Sequence, residues 1–187
     1  MWKPTSNWLH RVSNSWVAAC ACTAFLLFSA LVLPAQSRQA QTYAGGAGSP
    51  DTSLFYSSSD LYDTAEAYGR QGRVAYVRSR FTFDLIWPLV YTLFLTTGIS
   101  WISARAFAPH TRWQLLNPVP ILGAMFDYLE NVTTSAVMMR HPNQAPLAAT
   151  LAPAFTLLKW LLIGTSFTAL FAGGVVGVWR WVRKPRA

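Results

Sequence analysis

Residues 115–132 read Leu115-Leu116-Asn117-Pro118-Val119-Pro120-Ile121-Leu122-Gly123-Ala124-Met125-Phe126-Asp127-Tyr128-Leu129-Glu130-Asn131-Val132, a largely apolar run with two carboxylates and an amide near its end. The run continues to Met139, which makes it long enough to cross a bilayer, for which about 20 mostly apolar residues suffice. Ionisable groups at such depth are costly to bury, and they face a bundle interior where they meet a partner or serve a function.

Three further stretches have the same character: Trp16 to Leu33, Phe81 to Ser103, and Leu151 to Val178. The chain of 187 residues is 52% hydrophobic and only 12% charged, with 9 Trp and 11 Phe; a soluble domain carries about 25% charged residues. Loops and open sheet edges cannot face lipid, so the four stretches are expected to be helices. The expected fold is all-α, a four-transmembrane-helix bundle. Its spans are residues 14–34, 81–103, 114–139 and 151–179, after an N-terminal segment 1–13. The connections are an external loop 35–80 with a short helix at 60–69, a cytoplasmic loop 104–113, an external loop 140–150 and a basic tail 180–187.

The first span has a second reading. Lys3 and Arg11 precede the apolar run, and Leu33-Pro34-Ala35-Gln36 offers a weak cleavage site, the layout of a signal peptide. An apolar run of 18 residues exceeds the usual signal-peptide core, which favours a retained helix. With the N-terminus inside, the cytoplasmic side holds Lys3, Arg11, Arg105, Arg112, Arg180, Arg183, Lys184 and Arg186, against Arg38, Arg70, Arg73, Arg78, Arg80 and Arg140 outside. That imbalance, eight against six, favours both termini in the cytoplasm; the expected location is a bacterial inner or plasma membrane. The net charge of +8 then belongs to cations flanking membrane segments. They form no separate basic domain, which excludes a nucleic-acid partner.

Gln36 to Ser59, rich in Gly, Ser, Gln and Ala, reads as a flexible linker. Asp60 to Gly69 follows with a cap in Ser59 or Asp60, acids in the first turn and a glycine stop. From Gly72 the pattern predicts an N-terminal extension of the second span. Arg70, Arg73 and Arg80 are lipid-headgroup candidates, since the guanidinium fork matches phosphate; the plainer reading is arginines snorkelling to the interface.

Helical spacing gathers the intramembrane polar residues. Asp127, Glu130 and Asn131, at i, i+3 and i+4, share a face, and Tyr91 lies two turns beyond Asp84. At about 1.5 Å per residue, Glu130 and Lys159 lie at one depth, roughly 12–13 Å below the outer boundary. Asp84, Tyr91, Asp127, Glu130, Asn131 and Lys159 are therefore candidates for one ligand- or ion-binding core. Three carboxylates face one lysine there, and burying the excess charge calls for protonation, for help from Arg80 at i−4 of Asp84, or for an entering cation. Two readings stay open: a Glu130–Lys159 salt bridge that fixes helix register, with Tyr91 and Asn131 tied in by hydrogen bonds, or a site for an ion, a proton or a polar headgroup.

Other chemistry is thinly represented. His10, His110 and His141 all fall at expected helix ends, which disfavours an intramembrane transition metal or haem, and no metal site or cofactor is expected. Cys20 and Cys22 point to different faces of one helix and read as buried small hydrophobes. Ala169, Gly173 and Gly177 recur every four residues, a ridge suited either to packing within the chain or to a homodimer through Gly173 and Gly177. The four spans show no related halves, which argues against an inverted-repeat transporter. Pro88 is expected to kink the second span, and Pro118 and Pro153 to lie in first turns.

The set Gly69-x-x-Gly72-Arg73-x-x-Tyr76, Asp84-x-x-x-Pro88-x-x-Tyr91, Phe126-Asp127-Tyr128-Leu129-Glu130-Asn131 and Lys159-Trp160 resembles a family of small four-helix prokaryotic integral membrane proteins with no known activity. The likeness runs over residues 58–180. It implies the fold and no mechanism. The expectation is a non-enzymatic protein in the lipid bilayer that binds a lipid-like small molecule or acts as a subunit of a membrane complex. The alternatives are a cation- or proton-coupled carrier using the carboxylates, and a membrane enzyme acting on a lipid, for which no nucleophile–base pair is visible.

Overall fold

A computed structural model describes residues 2–50, 53–108 and 111–183. Asp51, His110 and the end of the basic tail, residues 184–187, lie outside the described residues. The elements in chain order are α1 (Trp2–Val12), α2 (Ser15–Leu27), a π-helical turn (Phe28–Val32), α3 (Leu33–Ala44), α4 (Ser58–Ala67), α5 (Gly69–Arg80), α6 (Phe83–Ala106), a 3-10 turn (Arg112–Leu116), α7 (Val119–Arg140) and α8 (Pro146–Arg183). No strand occurs among the described residues.

Three helical stretches are long and apolar enough to cross a membrane: Ser15–Ala44, Gly69–Ala106 and Pro146–Arg183. The third expected span, α7, is not among them. Its 22 residues are sufficient in length, but Asp127, Glu130 and Asn131 lower its hydropathy. The same residues are buried, because α7 packs chiefly on α8 and also on α5 and α6.

The first part of the expected flexible linker, Gln36 to Ala44, is helix. The first apolar helix does not stop at Pro34 but runs on to Ala44. A proline has no N–H to donate, and its ring collides with the carbonyl four residues earlier. The π turn over Phe28–Val32 just before it widens the helix where that collision falls. Gly45, at φ 58°, then closes α3 in the left-handed conformation that glycine adopts without strain. The loop expected over 35–80 therefore shrinks to the segment between Gly45 and Ser57.

α4 begins earlier than the sequence suggested. Ser57 is its cap: the Ser57 hydroxyl accepts from the Asp60 backbone N–H, and the Asp60 carboxylate accepts from the Ser57 backbone N–H at 2.8 Å. These bonds hold the Asp60 carboxyl below its ordinary range. α4 rests on the α7–α8 hairpin, where Ser58 Oγ donates to the Ala149 carbonyl (3.0 Å) and Tyr62 Oη accepts from the Ala145 N–H (2.8 Å). Leu61, Ala65, Tyr68 and Tyr76 are buried with Val137 and Met138 beneath it. α5 follows through Gly69 (φ 59°), and α3 approaches α5 so closely that a Cβ on Gly72 would lie 2.6 Å from the Tyr43 carbonyl oxygen.

α6 is set off from α5 by a break at Thr82 (φ −126°, ψ −77°), whose hydroxyl donates to the Arg78 carbonyl at 2.7 Å. Pro88 is buried inside α6. Pro153 lies well inside α8, not in its first turn. α2 and the π turn meet α6 through stacked rings: Phe25 on Phe94 (centroids 4.3 Å apart) and Phe28 on Phe83 (5.7 Å) and Trp87 (5.6 Å). Cys20 is exposed and Cys22 half-buried, which corrects the expectation of buried thiols.

The N-terminal segment is also a helix. α1 lies against α6 and the 3-10 turn, with Trp2 Nε1 donating to the Leu115 carbonyl (2.8 Å) and Ser6 Oγ to the Gln114 carbonyl (2.8 Å). Asn117, fully buried, donates to Ser6 O and Ser100 Oγ. His10 sits against the carbonyls of Ser100 and Gln114 at 3.2 Å.

The glycine ridge of α8 packs within the chain. A Cβ on Gly173 would come within 2.8 Å of Ile102 Cγ2 on α6, and one on Gly177 within 3.8 Å of the Ala106 Cβ. Of the two readings of this ridge, packing within the chain describes Gly173, which lies tight against α6, and Gly177 meets α6 at ordinary contact distance. Gly173→Leu should cost about 1–3 kcal/mol of stability through overpacking, whereas Gly174→Ala, with nothing within 4 Å of the new Cβ, should be neutral. Thermal unfolding in a neutral detergent compares them, and the α6 seam predicts an unchanged oligomeric state for both.

The cap of α4 makes a second prediction. A carboxyl with a lowered folded pKa stabilises above its unfolded pKa, about 4, and loses that contribution as pH falls through the lowered value. Ser57→Ala should speed amide exchange in the first turn of α4 about fivefold at neutral pH. Acidification below about pH 4 should lower the protection factors of the same amides, each taken against the intrinsic exchange rate at that pH, in the parent protein.

Candidate functional site

The polar residues of α6, α7 and α8 converge. Lys159 of α8 forms an ion pair with Glu130 of α7, fully buried, and its Nζ lies 3.6 Å from Asp127 Oδ1. Tyr91 of α6 donates to Asp127 Oδ2 at 2.8 Å. On the other side, Thr156 Oγ1 donates to Glu130 Oε1 at 2.7 Å and lies 2.9 Å from the Tyr56 hydroxyl. A chain of polar contacts therefore runs from Tyr56 through Thr156, Glu130, Lys159 and Asp127 to Tyr91. It joins the loop before α4 to three long helices.

The local sequence explains this convergence. Asp127 and Glu130 are three residues apart on α7, and Thr156 and Lys159 three apart on α8, so each pair lies on one helical face. Gly123, one turn before Asp127, lets α8 come close: a Cβ there would lie 3.1 Å from Ile163 Cγ1. The approach that glycine permits brings Lys159 within reach of both carboxylates.

A second ion pair lies beside the first. Arg80, at the end of α5, is buried and pairs with Asp84 across one helical turn (Nη1 to Oδ2, 3.0 Å), with its guanidinium 4.6 Å from the Tyr76 ring centroid. The three arginines offered as headgroup ligands thus separate. Arg80 is an internal partner of Asp84, Arg73 donates to the Ala65 carbonyl at the end of α4 (2.8 Å), and Arg70 is exposed on a groove between α3 and α5. They do not form one anion site. Asn131 is buried, but neither amide atom has a hydrogen-bond partner among the described residues, so the expected bond into the network is absent.

The two ion pairs border a cavity of about 320 Å³. Its polar end holds Arg80, Asp84, Tyr91, Asp127 and Lys159. The rest of the lining combines apolar and aromatic groups, among them Leu33 of α3, Phe83 and Trp87 of α6 and Phe167 of α8, with the neutral polar side chains of Gln36, Ser37, Ser49 and Ser79. At the rim, Ser37 of α3 and Trp160 and Phe167 of α8 are exposed. Thr156, Tyr56 and Trp87 were not anticipated as site residues. Thr156 was within reach, three residues before Lys159; nothing in the linker composition marked Tyr56. Among the described residues no group of three or more His, Cys, Asp or Glu is placed to hold a metal ion.

Comparison of the chain with family models, with curated proteins and with solved structures returned no match. Function is therefore read from the geometry of this cavity.

Lys159 is the common partner of two carboxylates, so its loss should exceed that of either acid. Removing one member of a buried pair costs about 3–5 kcal/mol because the other charge is left uncompensated. Lys159→Met should fall in that range, and Glu130→Gln, which leaves Lys159 with Asp127 and keeps an acceptor for Thr156, should cost clearly less. The double variant should lose less than the sum. Equal, additive losses in thermal unfolding would show that the three groups are not coupled.

Proposed function

We propose that this chain is a four-helix integral membrane protein of the bacterial inner membrane that holds a lipid-like molecule in the cavity beside Asp127 and Lys159, without catalysing a reaction. The supporting observation is the cavity itself, which combines a charged end with aromatic walls. A volume of about 320 Å³ lies at the lower end of the range for small-molecule sites. It has room for a headgroup and part of one chain, and the remainder of the chain would lie along the rim.

The membrane arrangement takes the three apolar stretches as spans and adds α7 as the fourth. The outward face of α7 supports this. Ile121, Met125, Leu129, Val132 and Met139 are all exposed, and their spacing makes an apolar stripe on the side opposite the carboxylates. Leu85, Ile86, Leu89 and Leu93 do the same for α6, and Phe171, Val175 and Val178 for α8. So much exposed apolar surface suits lipid and not water. In this proposal both termini lie in the cytoplasm, on the balance of flanking cations, which sets the polar end of the cavity toward the outer leaflet.

Among the described residues that line the cavity, no nucleophile is paired with a base, and the enzyme reading has no further observation to draw on. The carrier reading, with Asp127 and Glu130 coupling transport to a cation or a proton, draws on the unequal number of carboxylates and cations. It requires net flux into proteoliposomes under an imposed gradient.

Ala40 of α3 lines the cavity and carries no charge. Ala40→Phe should fill the space and leave both ion pairs intact. Native mass spectrometry of protein purified in a neutral detergent should find an amphiphile on the parent chain that is missing from Ala40→Phe. Identical spectra for the two proteins would remove the cavity as a binding site.

A further inference from the structure

We infer that the headgroup taken by the cavity is a cationic amine, carried on a single-chain amphiphile. This rests on reading the cavity as an amphiphile site, and it names the chemistry of the occupant.

The first argument is the balance of charge. Among the described residues the charged groups lining the cavity are Arg80, Asp84, Asp127 and Lys159, with Glu130 paired to Lys159 behind them. Three carboxylates thus meet two cations, which leaves one negative charge when all are ionised. α3 adds only neutral side chains, Gln36 and Ser37, and the loop after it adds Ser49. In a site walled by rings and aliphatic groups that charge is poorly screened, and it attracts a cation while repelling an anion. A phosphate would have to draw Arg80 from Asp84 or Lys159 from its two carboxylates, and it would at least double the excess. An ammonium group brings the count to zero and displaces nothing.

Geometry selects the carboxylate that receives it. Glu130 is enclosed by Lys159 and Thr156, and Asp84 is held by Arg80 at 3.0 Å. Asp127 borders the cavity directly, and its contact with Lys159 is the longest of the ion pairs, at 3.6 Å. Tyr91 fixes its other oxygen. The aromatic lining supplies the rest of an ammonium site. Trp87 stands edge to face with Tyr91, 5.7 Å between centroids, while Trp160, also in the lining, already has Lys159 Nζ 5.4 Å from its ring centroid. Ring faces attract cations, tryptophan most strongly. Phe83 and Phe167 remain for the alkyl chain.

The test uses three probes with one twelve-carbon chain: dodecyltrimethylammonium, dodecyl phosphate and dodecanol. Each is titrated into the full-length protein in a neutral maltoside detergent and read by native mass spectrometry. One dodecyltrimethylammonium should be retained per chain, with an apparent affinity at least about tenfold above the other two. Asp127→Asn should weaken it about tenfold, and Ala40→Phe should abolish it. Dodecyl phosphate or dodecanol binding as well as the ammonium probe, and still lost in Ala40→Phe, would overturn the amine assignment and leave the amphiphile site standing. Retention of all three probes unchanged by Ala40→Phe would overturn both. The order of preference in the parent protein decides the matter even if Asp127→Asn does not fold.

Discussion

The structure depends on one ammonium group held between two carboxylates. Lys159 brings Glu130 and Asp127 to a common point, and it does so from a different helix. Without it α7 would carry two acids into an apolar interior with no counter-charge, a cost of several kcal/mol per ion. Because the two acids lie one turn apart on α7, a single lysine serves both only in one register of α7 against α8. The small side of Gly123 opposite Ile163 permits that register, and the ion cluster selects it. The remaining polar groups attach to this centre: Thr156 and Tyr56 on one side, Tyr91 on the other.

That arrangement turns a structural necessity into a chemical surface. Full enclosure of the carboxylates would make the cluster a scaffold and nothing else. Glu130 meets that condition, and Asp127 does not, since it borders the cavity. Two acids three residues apart therefore have different surroundings, one closed by α8 and one facing space lined by α3 and α6. Asn131 adds to the imbalance. A buried amide without a partner costs about 1–3 kcal/mol, and α7 carries that burden within one turn of Asp127.

Much of the core was legible in the sequence because helical periodicity and depth act locally. The i, i+3 and i+4 spacing put Asp127, Glu130 and Asn131 on one face, and counting residues from the hairpin put Lys159 level with Glu130. Arg80 was legible as a partner for Asp84 by the same rule. What escaped depended on contacts across the chain. The helix over Leu33–Ala44 was hidden by Pro34 and by a linker-like composition, because a π turn that accommodates a proline leaves no clear pattern. The docking of α1 rests on Asn117 and on carbonyls at the end of a distant loop. The cavity needs α3 beside α8, a juxtaposition that no spacing within either helix encodes. The glycines of α8 showed that close packing occurs there without saying which helix would be the partner.

α8 is 38 residues long, about 57 Å at 1.5 Å per residue, nearly twice the hydrocarbon thickness of a bilayer. Its first turns carry α4 through Ala149, its middle holds the ion cluster, and its later turns lie against Ile102 and Ala106 of α6. One continuous helix therefore links the three stations, and Pro153 falls between the first and the second. An interior proline removes one hydrogen bond of the ladder, so the point where α8 can bend lies between the seat of α4 and the ion cluster, while from Lys159 to the α6 seam no proline interrupts the helix.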